Sequence, residues 1–119
     1  MDKSFRVDPA ATAFVDAAMV AATLQSLSRD SGLRPLRLGG KSLIPVVQGG
    51  MGVGVSAGGL AGAVASLGGV GTISSVDLRR LHPDLMARTG HLDKEPDARA
   101  QIDAANLDAL DREIRKARA

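Results

Sequence analysis

The clearest structural pattern in this chain lies in Val46–Ser74, which reads VVQGGMGVGVSAGGLAGAVASLGGVGTIS. A short apolar run without alternation opens it, as is typical of a strand buried on both faces. A glycine-rich loop follows, and Ser56 is the expected N-cap of a helix. Larger apolar groups recur on one face of that helix, at Leu60, Val64 and Leu67. Gly68-Gly69 ends the helix before a second short strand, Val70–Ser74, so the pattern predicts a strand–helix–strand (βαβ) unit.

A hairpin is predicted immediately before this unit. Two short runs, Leu36–Leu38 and Lys41–Ile44, flank the pair Gly39-Gly40. Gly-Gly between two such runs is a strong signal for a two-residue hairpin turn.

The amino-terminal flank predicts a helix. Asp8 is a suitable N-cap, and Pro9 stands at the first helical position, where its missing N–H costs nothing. The alanine-rich run Ala10–Leu27 follows, and Gly32 suits the helix end. Asp16 interrupts the apolar run, which argues against a secretory signal and favours a cytoplasmic protein.

The carboxy-terminal flank, residues 77–119, also predicts helices, and its composition is the reverse of the centre. Ser42–Val76 contains no charged residue, whereas residues 77–119 carry nine acidic and nine basic residues. His82-Pro83 interrupts this flank and Pro96 opens its last helix. An apolar stripe is expected on that helix at Ile102, Leu107, Leu110 and Ile114. Asp108–Arg112 and Asp111–Arg115 have the i,i+4 spacing of favourable ion pairs.

Composition excludes several classes of function. The net charge of +2 is too small for a nucleic-acid binding surface. The chain has no Cys, so it cannot form disulfides, thiol nucleophiles or cysteine metal sites. It has no Trp or Tyr, which removes the usual platforms for base stacking.

Two general interpretations of the glycine-rich centre remain open beside a third. Gly52-Val53-Gly54-Val55-Ser56-Ala57 matches a dinucleotide-binding fingerprint, with Asp77 as a possible ribose ligand, although the motif starts four residues after the strand. The uncharged window is also long enough to cross a bilayer, and Gly54, Gly58 and Gly62 form a double G-x-x-x-G motif. Its high glycine content argues against insertion, and we expect no membrane association.

The third interpretation rests on three blocks spaced along the centre. They are Ile44–Gly52 (IPVVQGGMG), Leu60–Ala65 (LAGAVA) and Gly68–Ser74 (GGVGTIS). Together these blocks resemble the start of the nitronate monooxygenase family, also called 2-nitropropane dioxygenase, which includes a flavin-dependent enoyl reductase branch. The resemblance extends over Leu36–Ser75.

The resemblance implies an α/β fold, a (β/α)8 barrel that binds FMN. It implies that the flavin is lined by Gly49, Gly50, Met51 and Gly52. A tight turn without a ligand is the alternative role for these glycines. Such a barrel needs about 250 residues. We therefore expect one incomplete domain at 1–119, made of a helical extension (1–35), the hairpin and first βαβ unit (36–76) and a helical segment (77–119).

The family further implies oxidation of an alkyl nitronate by FMN, with dioxygen as the final oxidant. We expect the remainder of the barrel to supply the catalytic residues, and we assign none here. His82 is expected on a surface turn, and no metal site is expected from His82, His91, Asp84 and Asp93. The alternatives are a flavin-dependent enoyl-thioester reductase and a non-catalytic βαβ module. We also expect an open, apolar sheet edge at Val46 and Val47 and hence poor solubility of the chain alone.

Overall fold

The computed structural model describes residues 16–95 and 97–119, which form a mixed α/β arrangement. Two strands form one antiparallel hairpin, β1 (Leu36–Leu38) and β2 (Lys41–Leu43). The helices are α1 (Ala17–Asp30), α2 (Gly58–Ser66), α3 (Pro83–Thr89) and α4 (Arg99–Arg118). Two short 3-10 turns, at Leu78–Leu81 and Gly90–Lys94, flank α3.

Helix α1 confirms a helix in the amino-terminal flank, but it begins at Ala17, and Asp16, which was expected inside the run, precedes it. Asp16 is its N-cap, and the Asp16 carboxylate accepts a hydrogen bond of 2.9 Å from the Ala18 N–H. Gly32 follows the helix at a φ of 71°, a left-handed conformation that favours glycine at a helix end. The N-cap expected at Asp8 and Pro9 lies outside the described residues.

The predicted hairpin is confirmed with its register. Leu36 pairs with Leu43, and Leu38 pairs with Lys41. Gly39 and Gly40 both have positive φ, 55° and 76°, as a two-residue turn between the strands of a hairpin requires.

The predicted strand–helix–strand unit is present in reduced form. Val47 and Val70 form a single parallel bridge, with α2 between them in the chain. The Val70 N–H donates to the Val46 carbonyl at 2.9 Å, and the Gln48 N–H donates to the Val70 carbonyl at 3.0 Å. Neither side becomes a full strand, because the ladder ends in glycine-rich segments on both sides. The bridge is consistent with an α/β class, but one parallel pair does not define a barrel.

Helix α2 buries its small residues rather than its large ones. Gly58 and Ala61 are the buried positions, whereas Leu60 is 38% exposed. Of the three larger residues expected on one face, Leu60 is exposed, whereas Val64 and Leu67 are half-buried. The small residues are buried by close packing: a Cβ on Gly71 would overlap the backbone of Ala61, so the second half of the βαβ unit lies directly against the helix.

Another side of α2 packs against α4 through Gly58 and Gly62, two glycines of the double G-x-x-x-G motif, whereas Gly54 precedes the helix and lies against Leu81. A Cβ on Gly58 would overlap the Glu113 carbonyl oxygen, and one on Gly62 would lie 3.0 Å from the Ala117 carbonyl oxygen. Small residues at this spacing allow two helix backbones to approach closely. Two of the three motif glycines therefore join α2 to another helix of the same chain. Among the described residues, none of the helices combines the length and the apolar character needed to cross a bilayer.

The apolar core lies in the carboxy-terminal section. Leu78, Leu85 and Ala109 are fully buried against one another, and Ile73 and Leu110 pack against them. The stripe expected on α4 is wrong at Leu107, which is 67% exposed. The buried line instead follows i,i+4 spacing through Ala105, Ala109 and Glu113.

Ion pairs on α4 follow the predicted spacing. Arg112 Nε lies 2.9 Å from Asp108 Oδ1, and Arg115 Nε lies 2.9 Å from Asp111 Oδ2. The Arg112 guanidinium also reaches Asp84 on α3 at 2.9 Å, which the sequence did not indicate. Exposed pairs of this kind stabilise the fold little.

Candidate functional site

The candidate site is the loop between the parallel bridge and α2, residues 49–57. It follows Gln48, one residue after the bridge at Val47, and so leaves the carboxyl end of the first bridge segment, Val46–Gln48. Ligands of α/β folds bind at this end of the strands. The residues predicted to line a flavin are all exposed on this one loop, at Gly49, Gly50, Met51 and Gly52.

Gln48 connects the loop to both segments of the parallel bridge. Its main-chain N–H pairs with Val70, and its side-chain Oε1 accepts a hydrogen bond of 3.1 Å from the Thr72 N–H. Its Nε2 donates to the Ser56 hydroxyl at 2.7 Å and also to the Gly49 carbonyl. The Gln48 side chain thus adds one hydrogen bond between the two bridge segments, beyond the last backbone hydrogen bond of the pair.

Ser56 holds the loop from beneath. Its side chain is completely buried, and its hydroxyl donates to the Gly49 carbonyl at 3.1 Å. The hydroxyl also accepts from the Met51 N–H at 2.9 Å, and the Ser56 N–H returns to the Met51 carbonyl at 2.9 Å. The N-cap predicted at Ser56 is therefore wrong, since Ala57 occupies that position. The hydroxyl is already used by the preceding loop.

The outer side of the loop is open and apolar. A Cβ placed on Gly49 would meet no described atom within 4 Å, and on Gly50 the nearest atom would be Thr72 Cγ2 at 3.6 Å. Neither glycine has a positive φ. Exposed apolar side chains flank these positions at Met51, Val53, Val55 and Val76. Neither conformation nor close packing within the described chain accounts for glycine at positions 49 and 50.

The amino terminus of α2 is occupied from within the chain. The buried Gly58 N–H donates to Glu113 Oε2 at 2.7 Å, and Glu113 is only 4% exposed. In a dinucleotide site this helix terminus holds the pyrophosphate. The carboxylate of Glu113 fills that position, which argues against the dinucleotide interpretation.

Asp77, the ribose ligand of that interpretation, is committed to ion pairs. Its carboxylate accepts from Arg79 Nε at 2.9 Å and pairs with Arg80. Partial burial opposes ionisation, but the Arg80 hydrogen bond and the charges of both arginines outweigh it and hold the pKa of Asp77 below its ordinary value. Asp77 therefore serves to anchor Arg79.

Arg79 is buried and fully paired. It is 2% exposed and donates to the Thr89 hydroxyl at 3.0 Å and to the Thr89 carbonyl at 3.2 Å. A further nitrogen pairs with Asp93. A buried guanidinium with this set of partners ties the two 3-10 turns to α3, which is a structural role.

His82 is half-buried beside α4, so the expectation of a surface turn is only partly met. Its side chain is 17% exposed, and Nε2 lies 3.4 Å from Glu113 Oε1. Nothing near His82 in the sequence indicates this, because its partner is on α4. In the described part of the chain, no three potential ligand side chains form a group that could hold a metal ion.

Comparison with known proteins adds no relative. Family models, curated proteins and solved structures were all searched, and none matches this chain. The functional assignment therefore depends on the loop itself and on the resemblance of its sequence blocks.

Proposed function

We propose that the loop Gly49–Gly52 lies against the ring system of FMN in an oxidoreductase that oxidises alkyl nitronates with dioxygen. The observation that carries the proposal is the open space at Gly49, together with the absence of any clash or positive φ at Gly50, so that the chain itself requires glycine at neither position. A residue without a side chain lets a flat ligand approach the backbone. The blocks IPVVQGGMG, LAGAVA and GGVGTIS resemble the nitronate monooxygenase family, and that resemblance, which implies a flavin against this same loop, supports the proposal.

The residues present fit a flavin ring. Met51 is 47% exposed beside the glycines, and its flexible thioether suits contact with an aromatic surface. Ser42–Val76 carries no charge, so this wall favours the ring over the phosphate of FMN. When bound, FMN would take electrons from the nitronate and pass them to dioxygen. The loop would orient the ring and exclude water from one of its faces.

The proposal includes a place for this unit in a (β/α)8 barrel. The parallel bridge Val47–Val70, with α2 between its strands, corresponds to the first two strands and the helix joining them. Val46 is 53% exposed and Val47 is 60% exposed, so the outer edge of the first strand is available to a neighbouring strand. In such a barrel the phosphate site follows strands seven and eight. We accordingly expect the 119-residue chain alone to bind no FMN and to associate through this edge.

The test uses the protein in which these 119 residues are joined to the remainder of the proposed barrel, as encoded by its native gene, with two matched variants. Gly49→Leu adds a side chain on the open side of the loop, whereas Gly59→Leu adds one on α2, where a Cβ also meets no described atom. The unsubstituted protein should show the visible absorption of bound flavin and oxidise nitronates. Gly49→Leu should unfold at the same temperature but lose the flavin, and Gly59→Leu should keep it.

Two results would overturn the proposal. One is a protein from the native gene that neither carries flavin nor takes up added FMN. The other is a Gly49→Leu variant that binds FMN as tightly as the unsubstituted protein. Parallel assays with propionate 3-nitronate, and with an enoyl thioester plus reduced nicotinamide, separate nitronate oxidation from enoyl reduction on the same flavin wall.

A further inference from the structure

A polar cluster beneath the loop consists of the half-buried Gln48, the fully buried Ser56 and the Thr72 main chain. The Ser56 hydroxyl has one proton and two lone pairs. The proton goes to the Gly49 carbonyl, and the lone pairs accept from Gln48 Nε2 and the Met51 N–H. Its hydrogen-bonding capacity is therefore complete, which leaves a single arrangement for the cluster.

This arrangement determines how Gly50 is presented. The Gly49 carbonyl and the Met51 N–H both point inward, to the Ser56 hydroxyl. The two peptide bonds that flank Gly50 are trans. In a trans peptide the C=O and the following N–H point in opposite directions. The N–H and the C=O of Gly50 are consequently both directed away from Ser56, toward the exposed side of the loop.

We infer that Ser56 and Gln48 are positioning residues that present Gly50 as a hydrogen-bond donor and acceptor to the heteroatom edge of the flavin ring. The inference rests on the proposed function, and it adds the edge of the ring that this loop recognises. That edge carries carbonyl oxygens, ring nitrogens and one N–H. It can therefore accept a hydrogen bond from the Gly50 N–H and donate one to the Gly50 carbonyl. Hydrogen bonds to ring nitrogens tune the electronics of a flavin. Ser56 and Gln48 thus act on the flavin without touching it.

The test compares Ser56→Ala with Ser66→Ala in the protein from the native gene. Ser66 is exposed at the end of α2, and its hydroxyl bonds only to the carbonyl of Ala63 in the same helix. Ser56→Ala leaves the Met51 N–H without its partner and should weaken FMN binding about tenfold. It should also shift the reduction potential and the absorption maximum of the flavin that remains bound. Ser66→Ala should change neither.

A second variant keeps the inference testable if Ser56→Ala does not fold. Gln48→Met retains the length of the side chain but removes the amide that joins Thr72 to Ser56, and it should shift the potential in the same direction. A flavin that both variants bind with unchanged affinity and potential would overturn this inference and leave the proposed function intact. A loss of flavin in Ser66→Ala equal to that in Ser56→Ala would also overturn it. An unsubstituted protein without flavin would overturn both.

Discussion

The glycine-rich centre, residues 42–76, and the charged section, residues 77–119, are held together in different ways. The charged section has a core of large side chains around Leu78 and Leu85, and a buried arginine joins its turns. The centre has almost no large buried side chain, and its helix is enclosed by backbone contacts at Gly58, Gly62 and Gly71. The comparison shows that glycine has two roles in the centre. It allows close backbone packing around α2, and it leaves an open surface at Gly49 in the preceding loop.

The largest expected effect tests the core of the charged section. Leu85→Ala removes a fully buried side chain and should lower the free energy of unfolding by about 2–5 kcal/mol. Leu107→Ala, at the 67% exposed position of the expected stripe, should change it by less than about 0.5 kcal/mol. Urea denaturation measures both. Equal losses would mean that the stripe predicted from the sequence is buried after all.

The second effect tests backbone packing in the centre. Gly71→Ala would place a Cβ into the backbone of Ala61 and should cost about 1–3 kcal/mol, since neither segment can yield without separating. Gly59→Ala, in α2 but facing open space, should leave the free energy of unfolding unchanged or raise it by up to about 1 kcal/mol. A harmless Gly71→Ala would contradict the proposed difference between the two regions.

The third effect tests the contact that joins the regions. Glu113→Ala leaves the buried Gly58 N–H without an acceptor and should cost about 1–3 kcal/mol. Glu113→Gln keeps an acceptor oxygen at the same place and should lose less. Thermal unfolding of the two variants gives the difference, and a greater loss for Gln than for Ala would show that the hydrogen bond is not what stabilises α2.

The smallest effect concerns acid. The pKa of Asp77 is lowered, and the Arg112 hydrogen bond lowers the pKa of Asp84. The unfolded chain therefore binds more protons than the folded one near the ordinary value of 3.8. Stability from these groups is present above that pH and is lost as the pH falls below it. Urea midpoints from pH 7 downward should show the decline, and Asp77→Asn should make it shallower. An identical slope in the variant would exclude Asp77 as a source.

Features with local signals were predictable from the sequence. Gly39-Gly40 between two short runs identified the hairpin, and i,i+4 spacing identified Asp108–Arg112, because the groups involved are near neighbours in the chain. The four residues predicted to line the flavin, Gly49–Gly52, lie on one exposed loop because they are consecutive in the chain. Whether a flavin lies against them is a prediction that the fold does not test.

Features that depend on distant segments were not predictable. Ser56 has the residue type of an N-cap, but the preceding loop takes its hydroxyl. His82 beside a proline suggests a surface turn, yet it is half-buried beside α4. The double G-x-x-x-G motif entered the sequence analysis only with the membrane interpretation, whereas Gly58 and Gly62 pack against α4 of the same chain. A residue type shows which contacts a side chain can make, whereas the fold determines which of them it makes.

The hydrogen bond from Gly58 to Glu113 spans 55 residues, and this has a consequence for synthesis of the chain. At roughly 5–20 residues per second, translation reaches Glu113 about 3–11 s after Gly58. During that interval the first turn of α2 has no carboxylate to accept its N–H, and its glycine face has no α4 to cover it. The packing of α2 is therefore completed only after the far end of the chain has been synthesised.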